Sequence, residues 1–300
     1  MIPSADAERI LLTGATGYVG GKLLPALLDA GHEVSCLVRD PDRADVPEAA
    51  TVVRGDVRDA AAVGEALRDT DVAYYLVHSM GGTGGDFAAA DCEAAATFGD
   101  AARAAGVSRL IYLGGLEGGP GEASEHLRSR DEVGRILAER VTGTVHVRAA
   151  MVIGARSASF LMMRSLVDRL PVMVCPRWID TRTQPVAVRD VVRTLAALAV
   201  APEPPAEVEL GGADVLTYRE MMARYARIAG RGGPRIVKVP VLTPRLSSYW
   251  VGLVTPVDAG LARPLVQGLS AEMLVRRPPP PGLNDEPLGF DDAVRAALTA

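Results

Sequence analysis

Apolar and polar positions alternate in short blocks whose period changes along the chain. Arg9-Ile10-Leu11-Leu12-Thr13 is an apolar run stopped by glycine, and it predicts a buried strand. Gly20 to Ala30 places Leu23, Leu24, Leu27 and Leu28 on one helical face, with Gly31 as a stop. Further strands are predicted at Glu33 to Arg39, Thr51 to Val57, Val72 to Val77, Arg109 to Leu113 and Thr144 to Ile153. Helices are predicted from about Asp59 to Arg68, Asp86 to Ala105 and His126 to Arg140. Strands that alternate with helices make βαβ units, and so a parallel sheet covered on both faces.

After Gly154 the rhythm changes. Ser159 to Leu170 predicts a helix ended by Pro171, and Val188 to Val200 a second, closed by Pro202, Pro204 and Pro205. Thr217 and Glu220 stand in capping-box spacing ahead of Met221, Tyr225 and Ile228, which predicts a third. Glu207 to Leu210 and Ile236 to Val239 are short strand candidates. Arg276 to Pro287, with four consecutive prolines, predicts an extended connector, and Phe290 to Leu298 a last helix. The expected division is a dinucleotide-sized unit over 1–154, a smaller mixed lobe over 155–275 interleaved with it, and a connector and helix over 276–300.

Composition narrows the function classes. The chain has 300 residues, 48% of them apolar, and a formal charge of -5. That is too apolar for a disordered protein and carries no basic excess for a nucleic-acid partner. Cys36, Cys92 and Cys175 are scattered, with no CxxC or HExxH motif, so neither a disulfide framework nor a metal site is predicted. Met1 to Arg9 holds Asp6 and Glu8 without an apolar core, so no signal peptide is expected. Tyr249 to Val266 is broken by Pro256, Asp258, Arg263 and Pro264, too short and too polar for a membrane span. A cytoplasmic protein, monomer or homo-oligomer, is expected, acting on a small molecule.

The first strand runs into Thr13-Gly14-Ala15-Thr16-Gly17-Tyr18-Val19-Gly20, glycines spaced GxxGxxG before a helix. Gly14 permits a tight turn, Gly17 lets backbone approach a pyrophosphate, and Gly20 lets the helix pack on the sheet. The helix start, at Thr16 to Val19, offers N–H groups to the diphosphate. Together with the alternating elements this predicts an α/β doubly wound parallel sheet of Rossmann type with a smaller C-terminal substrate lobe. At the end of the second strand stands Val38-Arg39-Asp40-Pro41. Arg39 suits a 2′-phosphate, so NADP(H) is favoured over NAD(H). Asp40 keeps open a ribose hydrogen bond, and the other reading of Arg39 is a solvated side chain. Gly55-Asp56-Val57 suits an adenine clamp, or a plain strand-end turn.

These stretches carry a family resemblance. TGATGYVG, LVRDP, GDV, PVAVRDV and LGGADVLTYREM resemble the extended and atypical short-chain dehydrogenases. YYLVHSM, YLGGL, HLRSRDEVG and LSSYW are similar, more closely, to bacterial NAD(P)H-binding, NmrA-like and sugar-epimerase-like proteins of the atypical branch. The resemblance spans about residues 9–275. Some relatives continue into a further domain after the LSSYW block, which this chain is expected to lack.

The resemblance implies a Ser or Thr after the fifth strand and a Tyr-x-x-x-Lys on the next helix, tyrosine as acid/base and lysine on the nicotinamide ribose. The chain's 32 basic residues include only two lysines, Lys22 and Lys238. Tyr18 and Lys22 have the spacing but lie in the phosphate loop and first helix. At the expected helix stand His126 and Arg130, and Gly114 and Gly115 follow the fifth strand without a hydroxyl. His126 and Arg130, four apart on one helix face, are candidates for proton donor and ribose binder. The alternative for His126 is a surface cap. His78, with Val77 at the end of the fourth strand, is the other proton-donor candidate, or else a satisfied core histidine. His32 and His146 read as structural. Ala149, after Arg148, matches the stretch that borders nicotinamide in the resembled families, and Arg148 reads equally as a buried ion pair. Arg177, Trp178 and Gln184 are candidate substrate contacts. The sequence points to an oxidoreductase on a small, fairly apolar carbonyl or alkene without the Ser-Tyr-Lys triad. The alternative is a non-catalytic NADPH-binding sensor or assembly protein.

Overall fold

The computed structural model describes residues 7–78, 87–116, 118, 125–238 and 269–300. The strands are β1 (Arg9–Thr13), β2 (Glu33–Val38), β3 (Thr51–Arg54), β4 (Val72–Tyr75), β5 (Arg109–Gly115), β6 (Thr144–Ala149), β7 (Val152–Ile153), β8 (Val172–Cys175), β9 (Arg182–Thr183), β10 (Val186–Ala187), β11 (Glu207–Leu210), β12 (Leu216–Thr217) and β13 (Arg235–Lys238). The helices are α1 (Tyr18–Asp29), α2 (Ala60–Ala66), α3 (Phe87–Ala104), α4 (Glu125–Arg140), α5 (Ala158–Arg169), α6 (Val188–Val200), α7 (Tyr218–Ile228) and α8 (Phe290–Thr299).

Seven described strands form a parallel sheet in the order β11-β6-β5-β4-β1-β2-β3. Strand order reverses between β1 and β4, which opens a crevice at the carboxyl ends of those strands. All residues of β4 and β6 are buried, as parallel strands covered on both faces must be. The edge strand β3 has the pattern exposed-exposed-half-buried-exposed and stops at Arg54, short of the predicted Val57. There the chain turns into α2, whose N-cap Asp59 accepts from the N–H groups of Ala61 and Ala62.

The predicted single strand over Thr144 to Ile153 is two. β6 stays in the sheet through Ala149, and β7 leaves it to pair with β10. The run keeps strand-like residues past Ala149, with Ala150, Met151, Val152 and Ile153 uninterrupted by glycine or proline, so periodicity gave no sign of the break.

The chain beyond 154 returns to the first unit twice. β11 extends the main sheet beside β6, and α6 packs on α1. Tyr74 donates its hydroxyl to Leu195 O at 2.7 Å, and Arg109 donates to the carbonyls of Leu198 and Ala201 at 2.8 and 2.7 Å, capping the end of α6. The remaining elements build a second core around Phe160, Met163, Trp178, Met221, Tyr225 and Phe290. Its α7 begins with the predicted capping box, Thr217 and Glu220 bonding reciprocally. Residues 276–289 form no helix or strand but are tied down: Thr194 donates to Leu283 O, and Asp190 accepts from Leu288 N.

Candidate cofactor and substrate cleft

A cavity of about 480 Å3 lies at the carboxyl ends of β1, β4, β5 and β6. Such a volume suits a small-molecule site. One end is walled by Gly14, Gly17, Tyr18, Val19 and Gly20, the other by side chains from α5, α7 and the segment around Trp178.

The glycine loop is built as tightly as its spacing implies. Gly14 has φ +77°, and a Cβ there would sit 2.8 Å from Leu76 O. A Cβ on Gly20 would lie 2.1 Å from Gly14 O. Thr13 Oγ1 donates to Tyr74 O at 2.8 Å and accepts from Leu76 N at 3.2 Å, locking the ends of β1 and β4 together. The N-cap of α1 is Gly17, which supplies no side-chain cap, so its first-turn N–H groups suit diphosphate oxygens. Thr16 is exposed in the loop and outside the cavity lining.

Tyr18 lines the cavity, its hydroxyl buried against Gly154, where a Cβ would be 2.1 Å away. Burial pushes its pKa up. Lys22 Nζ lies 5.7 Å from the centroid of the same ring. The Tyr18–Lys22 spacing therefore makes a cation–π contact on α1.

Arg39 is exposed at the end of β2. Asp56 stands at the neighbouring strand end, and its carboxylate accepts two bonds from the Arg58 guanidinium, both at 3.0 Å. That pair, more than the charge of Arg39, holds the Asp56 carboxyl below its usual range. Val57 is half-buried and packs against the sheet face that carries α2 and α3. None of the three lines the cavity.

Val77 and His78 line it from the end of β4. His78 Nδ1 lies 2.8 Å from Asp91 Oδ2 of α3, and Asp91 is 5% exposed. Desolvation lowers the His78 pKa, Arg130 adds to this, and Asp91 opposes it. Arg130 lines the same cavity from α4 and donates from Nη2 to Leu113 O at 2.6 Å. Its buried Nε–H has no acceptor among the described residues. His126 lies on the first turn of α4, its side chain outside the described structure.

Gly114 and Gly115 also face the cavity. A Cβ at 114 would meet His146 Nε2 at 2.2 Å, so a serine or threonine has no room there. His146, 5% exposed, is wedged between Gly114 and Gly134 against Tyr112, and burial lowers its pKa to about 3. Ala149 lines the cavity. Arg148 points its charge elsewhere, into ion pairs with Asp131 and Glu207.

At the far end Trp178 and Tyr218 meet edge to face, with centroids 6.0 Å apart. Trp178 is 8% exposed, and its buried Nε1–H has no acceptor among the described residues. Met151, Met162, Met163, Met222 and Met273 line the chamber, five of the chain's nine methionines. Scattered from 151 to 273, they gave no sequence signal. Nor did Asp91, one of many acidic residues on amphipathic helices. Gln184 lies outside the lining, its amide bonded to Gly212 O and Val275 N. The side chain of Arg177 falls outside the described structure.

Residues 14–159 match the family model described as NAD(P)H-binding. A stretch of 84 residues is 37% identical to phenylcoumaran benzylic ether reductase PT1 of Pinus taeda, covering 24% of this chain and 27% of that one. The chain thus spans about a quarter of that curated relative's length. An NADPH-dependent quinone oxidoreductase of Escherichia coli, solved with NADPH, has a TM-score of 0.76 at 18% identity, over 95% of this chain and 98% of that one. Triphenylmethane reductase of Citrobacter sp. has a TM-score of 0.73 at 15% identity, over 97% of this chain and 100% of that one. At these identities the two structures speak for a shared fold.

Proposed function

We propose that this chain, with its match to the NAD(P)H-binding family model on a Rossmann-like parallel sheet, is an NADP(H)-dependent oxidoreductase. Its substrate is a small, fairly apolar carbonyl or alkene, and it works without the Ser-Tyr-Lys triad. One observation carries this reading: a single cavity joins the glycine loop to a methionine- and aromatic-lined chamber, with His78 and Arg130 also in its wall.

The cleft residues fit the cofactor. The glycine cradle has no room for a Cβ at Gly14 or Gly20, and the uncapped start of α1 suits a diphosphate. Arg39 would take the 2′-phosphate, and Gly55 to Val57 would border the adenine, Asp56 sharing its carboxylate with Arg58. The buried Arg130 Nε–H would find its acceptor in a ribose hydroxyl. Ala149 would border the nicotinamide. The bound cofactor supplies hydride. The chain binds and orients, excludes water with its apolar chamber, and moves a proton at His78 Nε2. A role for His126 rests on its place on the first turn of α4. Trp178 would donate from Nε1 to a substrate oxygen.

The names of the similar proteins support the acceptor class, since a quinone, a triphenylmethane dye and a benzylic ether are apolar and aromatic. The absence of tyrosine and lysine at positions 126 and 130 favours the second reading, an NADPH-binding sensor acting through a partner. Fluorescence titration with NADPH and NADH tests the shared part. NADPH should bind tighter, and Arg39→Ala should weaken NADPH more than NADH, by about 1–3 kcal/mol for a lost charged hydrogen bond. Equal or tighter NADH binding overturns the cofactor assignment. Turnover of a carbonyl or enone panel separates enzyme from sensor.

A further inference from the structure

We propose that His78 and Asp91 form an acid/base dyad in which Asp91 is a positioning residue, and that the dyad commits this cleft to ketone or aldehyde substrates and their alcohols. The proposal rests on the oxidoreductase reading above and names its substrate class.

The argument starts from which nitrogen is held. The buried Asp91 carboxylate lies 2.8 Å from Nδ1 and can only accept, so a proton shared between the two is carried by Nδ1. Nε2 is then the nitrogen that gains or loses a proton. This is the tautomer that an imidazole needs in order to serve as a relay through Nε2. The two partners come from different elements, His78 from the end of β4 and Asp91 from α3, and β4 ends at the cavity. Around them stand Cys92 on α3, Arg130 on α4, Tyr75 on β4 and Tyr112 on β5. Arg130 disfavours the imidazolium and Asp91 favours it.

The substrate class follows from the proton. As hydride forms the new C–H bond at a carbonyl carbon, the C=O π bond breaks and its electron pair passes to oxygen. That oxygen takes the Nε2 proton of the His78 imidazolium, leaving neutral imidazole protonated on Nδ1, and a proton taken up from bulk solvent restores the imidazolium for the next turnover. In the reverse direction Nε2 takes the alcohol proton. A quinone or a cationic dye holds the arriving charge in a delocalised anion or neutral product and needs no such donor at the moment of transfer.

The first test needs no turnover. With four histidines in the chain, imidazole 15N spectra of the intact protein can resolve His78. The expected result is a proton on Nδ1 in the neutral form and titration at Nε2, with Asp91→Asn moving that titration to lower pH. A neutral His78 protonated on Nε2, or a titration unmoved in a folded Asp91→Asn, overturns the dyad. The second test is steady-state NADPH oxidation with acetophenone and with menadione. His78→Gln should lower kcat for acetophenone by about 100-fold, the lower end for general acid catalysis, while the menadione rate changes less than about threefold. Asp91→Asn should lower the acetophenone rate at neutral pH and shift its pH profile acidward. Menadione turnover without any ketone turnover overturns the substrate class. Failure to bind NADPH overturns the oxidoreductase reading instead and leaves the 15N result to decide the dyad.

Discussion

At the scale of single residues, close approach decides identity. Gly114 is glycine because His146 Nε2 occupies the place of a side chain. Gly114→Ala should destabilise the protein by about 1–3 kcal/mol, the range for overpacking a core. Adding His146→Ala should recover part of that loss, since the clash disappears with the ring. Urea unfolding of the single and double variants checks both, and simple additivity would show that the contact is not the cause. Gly20→Ala meets backbone rather than a ring end. It should abolish NADPH binding in whatever fraction still folds, read by fluorescence titration.

At the scale of elements, the stabilising contacts are those that hold one piece of backbone to another. Arg109 covers the last carbonyls of α6 from the neighbouring strand β5. Arg109→Met keeps the stem and removes the donors. A loss of about 1–3 kcal/mol is expected, because buried carbonyls are left unpaired. The capping box of α7 is more exposed, and Thr217→Ala should cost about 1 kcal/mol. Because α7 carries Tyr218 and Met222 into the cavity wall, that variant should also loosen substrate binding more than cofactor binding. Chemical denaturation and separate KM values for the two ligands distinguish the effects.

At the scale of the whole molecule, buried histidines whose charged form is disfavoured tie stability to pH. His146 titrates at about 3 in the folded protein, and His78 and His32 are also lowered, chiefly by desolvation. The unfolded chain takes up these protons from about pH 6.5 downward, where the folded one resists. Their stabilising contribution is therefore complete above that pH and lost as pH falls toward 3. The guanidinium midpoint should drop between pH 7.5 and 5, and His146→Asn should flatten that slope. An unchanged slope would mean that another group carries it. The last helix, α8, acts at the same scale. Phe290 is buried in the second core, and Phe290→Ala should cost about 3–5 kcal/mol.

The order of elements, the glycine loop and the capping box could be read directly, because each rests on contacts between residues close in sequence. The sheet class followed from the alternation of elements, and the end of β4 was legible as a cleft position because parallel sheets bind ligands at that edge. Only tertiary structure placed Asp91 on His78, wedged His146 into the place of a serine, gathered methionines from 151 to 273 into one chamber, and returned Glu207 to Leu210 to the first sheet. These pairings are set by burial and by hydrogen bonding across long separations, and local periodicity carries no record of which partner a side chain will meet.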